Sequence, residues 1–165
     1  MKKLMLMFAL VALFTTNVMA QTPWKIIDME YVTKHGGNCS YDDETCTATF
    51  KGSYDRWIDL PELKGDLTGH TKLTATILKS NVVLSFNIRY RNADGEVKQV
   101  KAQTFWSQMG KEIDGKKELK VDLTNKGKIG EDVLKDVVSV RVSMAKQAPG
   151  AEEPWFCQFG DMVVE

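Results

Sequence analysis

Polar and apolar positions alternate along most of this chain with the period of two that marks half-buried strands. The clearest case is residues 82–91. Leu84, Phe86, Ile88 and Tyr90 face one way there, and Ser85, Asn87, Arg89 and Arg91 the other. Lys72–Leu78 repeats the pattern through Leu73, Ala75 and Ile77, Glu118–Leu123 through Leu119, Val121 and Leu123, and Val137–Lys146 through Val138, Val140, Val142 and Met144. Trp24–Val32, Thr45–Lys51, Tyr54–Asp59, Glu96–Ser107 and Trp155–Val164 complete a set of about nine strands. Asn92-Ala93-Asp94-Gly95 reads as a hairpin turn, with Gly95 supplying the positive φ that closes it. Only Gly130–Lys135 reads as a short helix. Strands with turn signals every ten or so residues predict an all-β sandwich of jelly-roll type.

The first twenty residues follow a different pattern. Lys2 and Lys3 precede an unbroken apolar run from Leu4 to Phe14, and Val18-Met19-Ala20 ends the segment before Gln21. Charge, apolar core and small-residue cut together read as a signal peptide over residues 1–20, and the run is too short to span a bilayer. The expected product is an exported protein, periplasmic or secreted, with one domain over residues 21–165.

Composition narrows the partners. Loss of Lys2 and Lys3 with that segment leaves 20 basic against 22 acidic side chains. This balance lacks the basic excess that phosphate backbones require, so a nucleic-acid partner is not expected. No second apolar segment approaches membrane-spanning length, so no membrane insertion is expected either.

Three cysteines would meet an oxidising compartment. Cys39 and Cys46 flank a polar loop and read as a disulfide, whereas Cys157, in Trp155-Phe156-Cys157-Gln158-Phe159, reads as a buried free thiol. Pairing of Cys157 with either of the other two is the alternative, since spacing alone does not fix connectivity.

Three further segments carry a resemblance. Trp57-Ile58-Asp59-Leu60 with Gly69-His70-Thr71-Lys72-Leu73-Thr74, Lys120-Val121-Asp122-Leu123-Thr124 with Val137–Val142, and Phe159-Gly160-Asp161-Met162-Val163-Val164 resemble the strand and turn motifs of galactose-binding-like, jelly-roll carbohydrate-binding modules of secreted bacterial proteins. The resemblance covers most of residues 21–165, through short motifs that mark fold positions. It implies a structural Ca²⁺ between the first and last strands, with Asp28, Glu30 and Asp161 as oxygen donors. No other cofactor is called for.

The residues themselves offer one candidate surface. Asn87, Arg89, Gln103 and Arg141 fall on polar positions of neighbouring strands, with Trp106 or Phe105 available to stack on a pyranose. Planar amides and guanidinium groups suit paired sugar hydroxyls. An ordinary solvated sheet face shows the same alternation. Catalytic signals are sparse: His35 and His70 both sit in loops, and no zinc-binding histidine pair, serine elbow or phosphate loop occurs. The expected function is therefore non-catalytic binding of an oligo- or polysaccharide. An envelope or extracellular protein-interaction module with the same sandwich and no sugar site is the alternative.

Overall fold

The computed structural model describes residues 25–30, 32, 34–60 and 62–165. The proposed signal peptide, Trp24 and Tyr31 lie outside these residues. The described chain forms an all-β sandwich of two antiparallel sheets with one short helix.

Eleven strands form among the described residues: β1 (Lys25–Ile27), β2 (Lys34–His35), β3 (Cys39–Asp42), β4 (Thr47–Phe50), β5 (Trp57–Leu60), β6 (Lys72–Ser80), β7 (Val82–Arg91), β8 (Val97–Thr104), β9 (Ile113–Asp122), β10 (Val137–Gln147) and β11 (Trp155–Val164). One sheet runs β3-β4-β11-β6-β9, with β1 also paired to β11, and the other runs β2-β5-β10-β7-β8. The helix α1 (Glu131–Leu134) is a single turn that buries Leu134. The two strands beyond the expected nine come from β2 and β3, which lie where the glycine- and cysteine-containing stretch reads as loop.

Alternation explains the core. Leu73, Ala75, Ile77, Leu119, Val121, Phe159 and Met162 from the first sheet meet Ile58, Leu60, Leu84, Phe86, Ile88, Val140 and Val142 from the second, and all are buried in one continuous cluster. The Asn92–Gly95 turn closes as its residues predict. Gly95 takes φ +80°, and Asn92 Oδ1 accepts hydrogen bonds from the backbone N–H groups of Asp94 and Glu96 at 3.1 and 2.9 Å.

The expected Cys39–Cys46 disulfide is not formed; all three cysteines are free thiols. The register gives the reason. Cys39 pairs with Phe50, whereas Cys46 lies beyond Thr47, the partner of Asp42. The three strand steps from Phe50 to Thr47 alone cover about 10 Å, and Cys46 is one residue farther, past the ~7 Å Cα limit for a bridge. Cys157 is a buried thiol, as its apolar neighbours predict.

Candidate functional site

The outer face of the five-stranded sheet carries the most concentrated polar chemistry. Its residues are set by the alternation that builds the core. Because Ile58, Leu60, Val140, Val142, Phe86 and Ile88 turn inward, Trp57, Asp59, Ser139, Arg141, Ser143, Asn87 and Arg89 must turn outward. Register then aligns one residue from each strand. Lys34 pairs with Asp59, Asp59 with Arg141, Arg141 with Asn87, and Asn87 with Lys101, a row crossing all five strands.

Asp59 is the centre of this row. Its carboxylate is buried, at 3 % exposure, and receives three charge-assisted hydrogen bonds. Arg141 donates through Nε to Oδ1 at 2.7 Å and through Nη2 to Oδ2 at 3.0 Å. Arg89 donates through Nη1 to Oδ2 at 3.1 Å, and the same nitrogen reaches Ser139 Oγ at 3.4 Å. The Arg141 guanidinium also lies 3.4 Å above the ring centroid of Trp57, a cation–π contact that fixes its plane. Beside it, Asn87 Nδ2 donates to Ser143 Oγ at 3.3 Å, and Thr104 Oγ1 to Ser85 Oγ at 3.0 Å.

Donors and acceptors remain for a ligand. Among the described residues, Arg141 Nη1, the Nε and Nη2 of Arg89 and Asn87 Oδ1 have no hydrogen-bond partner. The sole buried side-chain nitrogen or oxygen without a partner, among those same residues, is Trp155 Nε1, so these groups reach solvent. At the end of the face Trp106 is 52 % exposed, with Lys146 Nζ 5.1 Å from its ring. Lys146 pairs with Val83 in register, which places it on this same outer surface.

Four of the six residues expected in a sugar site, Asn87, Arg89, Arg141 and Trp106, therefore share one face. Two do not. A register shift between Phe86 and Asn87 leaves Ala102 unpaired in β8, and this bulge exchanges the inward and outward positions beyond it. Gln103 is turned to the sheet edge, where its Oε1 accepts the Asp122 N–H at 2.8 Å. Phe105 is turned into the core, 1 % exposed, and packs edge-on against Phe86 at 5.7 Å between ring centroids. Phe105 is thus excluded as a stacking ring.

Trp57, Asp59, Ser139 and Lys101 are members that sequence reasoning did not single out. The signal for the first two is legible in retrospect: within Trp57-Ile58-Asp59-Leu60, the apolar Ile58 and Leu60 force both partners outward.

The expected calcium ligands are not gathered. No group of three histidine, cysteine, aspartate or glutamate side chains that could hold a metal forms among the described residues. Asp28 Oδ1 instead accepts the backbone N–H of Glu30 at 2.9 Å. Asp161 lies within a register shift between Phe159 and Met162 and is exposed.

Two clefts open elsewhere. One of 480 Å³ lies between the starts of β6 and the ends of β9, beside Lys72, Asp122 and Glu165. Another of 590 Å³ lies between Tyr90, the helix residue Asp132 and Lys135 just past the helix end. Neither is lined by a histidine, cysteine or serine, and Asp122 is committed to its own turn. Its Oδ1 accepts from Thr124 Oγ1 at 2.6 Å, the bond that chiefly holds its carboxyl below the usual range. No helix among the described residues is long and apolar enough to cross a membrane. Compared with family models, curated proteins and solved structures, the chain matches none.

Proposed function

We propose that this chain is an exported, non-catalytic carbohydrate-binding module of the galactose-binding-like kind, and that the outer face of the five-stranded sheet holds the sugar. One observation carries the reading. Arg141, Arg89 and Asn87 are held in fixed orientation by Asp59, Trp57, Ser139 and Ser143, yet keep free donors and an acceptor towards solvent. Pre-positioned planar groups lose little freedom when they bind vicinal hydroxyls, so more of each hydrogen bond appears as affinity. Trp106 supplies an exposed ring for the apolar face of a pyranose.

The protein-interaction alternative lacks such support. The exposed large apolar side chains among the described residues are Ile26, Tyr54, Val97 and Trp106; Ile26 belongs to β1 of the other sheet, and Val97 and Trp106 stand at opposite ends of β8, so they are spread over the molecule. A glycan-binding screen read by tryptophan fluorescence tests the proposal. Saturable binding that Trp106→Ala and Asn87→Ala each weaken, with both variants folded, is the expected result. Saturable binding that neither variant changes would move the site off this face.

A further inference from the structure

We infer that the glycan bound on this face is an anionic one, a polyuronate whose carboxylates are met by Lys34, Lys101 and Lys146 around the Arg89–Asp59–Arg141 centre. This rests on the sugar-binding reading above and adds the class of sugar.

The charge distribution carries the inference. The whole chain holds 22 basic and 22 acidic residues, so no general excess of positive charge exists. The strands of this one sheet nevertheless place Lys34, Arg89, Arg141, Lys101 and Lys146 on a single face, where Asp59 is the one acidic side chain among the described strand residues. Asp59 neutralises only one of the two guanidiniums it bridges. The centre therefore keeps a surplus positive charge, partly screened from water: the Arg141 and Arg89 side chains are 15 % and 25 % exposed.

The three lysines are exposed, and none has an ion-pair partner among the described residues. The row Lys34–Asp59–Arg141–Asn87–Lys101 crosses five strands, about 19 Å at the usual inter-strand spacing. A basic group thus stands at each end of a polar track. That layout matches a chain molecule with charge on successive units, and guanidinium is the donor best shaped for a carboxylate. A nucleic acid fits less well. Trp106 is the exposed ring of this surface, Trp57 being covered by Arg141, whereas strand-binding proteins stack successive bases on several rings.

The test uses the purified protein against polygalacturonate and alginate, each beside its methyl-esterified, uncharged form, with a panel of neutral glycans and a single-stranded oligonucleotide. Binding is read by calorimetry. We expect an acidic polymer to bind about tenfold more tightly than its ester, and the advantage to vanish between about 0.1 M and about 1 M salt, as the Debye length falls from about 10 Å to about 3 Å. The double variant Lys101→Gln/Lys146→Gln, whose side chains are exposed, should weaken acidic polymer about fivefold. Equal or tighter binding of an ester or a neutral glycan would overturn the anionic inference and leave the sugar site standing. Binding of the oligonucleotide as tight as that of the polyuronates would also overturn it. Absence of binding to every glycan, charged and neutral, would remove both readings.

Discussion

Arg141 holds Asp59 by a two-point contact across neighbouring strands, Nε to Oδ1 at 2.7 Å and Nη2 to Oδ2 at 3.0 Å, while Trp57 backs the guanidinium at 3.4 Å. Burying a carboxylate costs more than one hydrogen bond returns, so the arrangement is stable only because three donors converge on it. Removal of the carboxylate reverses the balance. Asp59→Ala leaves two adjacent guanidiniums with no counter-charge, at a cost of about 3–5 kcal/mol. Asp59→Asn keeps the shape but still loses the charge, and should fall between the wild type and Ala. Urea midpoints would check this order; a change below about 0.5 kcal/mol for both would mean that solvent, not Asp59, satisfies the arginines.

The two tryptophans of the face should behave oppositely. Trp106 is 52 % exposed, so Trp106→Ala should leave stability within about 0.5 kcal/mol while weakening glycan binding. Trp57 is half-buried beneath Arg141, and Trp57→Ala should destabilise the fold through lost packing and a lost cation–π contact worth about 1–2 kcal/mol. Thermal melts and binding isotherms of both variants separate the roles. A melting temperature lowered equally by the two would assign Trp106 to packing.

The sandwich was legible because period-two alternation in Leu73–Ile77, Leu84–Ile88 and Val140–Val142 leaves one solution for which side faces inward. The site was legible only in part, for a physical reason. Asn87, Arg89 and Arg141 lie in strands whose phase is unbroken between them, so reading alternate positions places them together. The β8 bulge at Ala102 inserts one residue, and every position after it changes face; Gln103 and Phe105 were misplaced by that single insertion. Nothing in the local composition of Val100–Thr104 marks it. Asp59 escaped notice because its role depends on partners 30 and 82 residues away, which only the register brings together.

Gly36 tests whether the approach of β2 to β5 is as tight as the backbone shows. Its N–H donates to the Trp57 carbonyl at 2.8 Å, and a Cβ there would collide with the Asp55 carbonyl and come within 2.9 Å of Trp57 Nε1. Backbone cannot retreat as a flexible side chain can. Gly36→Ala should therefore cost about 1–3 kcal/mol and displace Trp57 from under Arg141. Gly37→Ala is the control, since the nearest atom to its Cβ is Asp55 Oδ2 at 4.0 Å. Denaturation of the pair, with tryptophan emission as probe, should separate them; equal stabilities would refute the tight approach.

The thiols predict an alkaline weakness. Burial pushes Cys39 from 9.0 up to about 12, and burial likewise raises Cys157, opposed in part by a hydrogen bond with Ser80. Each folded-state value lies above its unfolded one, so the folded chain keeps the neutral thiol after the unfolded chain has lost its proton. This contribution to stability is fully present below about pH 9 and declines as pH rises from there towards the folded value. Across that window each thiol removes about 1.4 kcal/mol per pH unit once the unfolded form is ionised. Lysines and tyrosines titrate in the same range, so the informative quantity is a difference between proteins. The fall in unfolding free energy from about pH 8 to about pH 10 should be smaller in Cys39→Ala and in Cys157→Ala than in the wild type, by about 1 kcal/mol each. Identical falls in all three would show that the thiols ionise as readily folded as unfolded, which burial at 5 % and 0 % exposure does not permit.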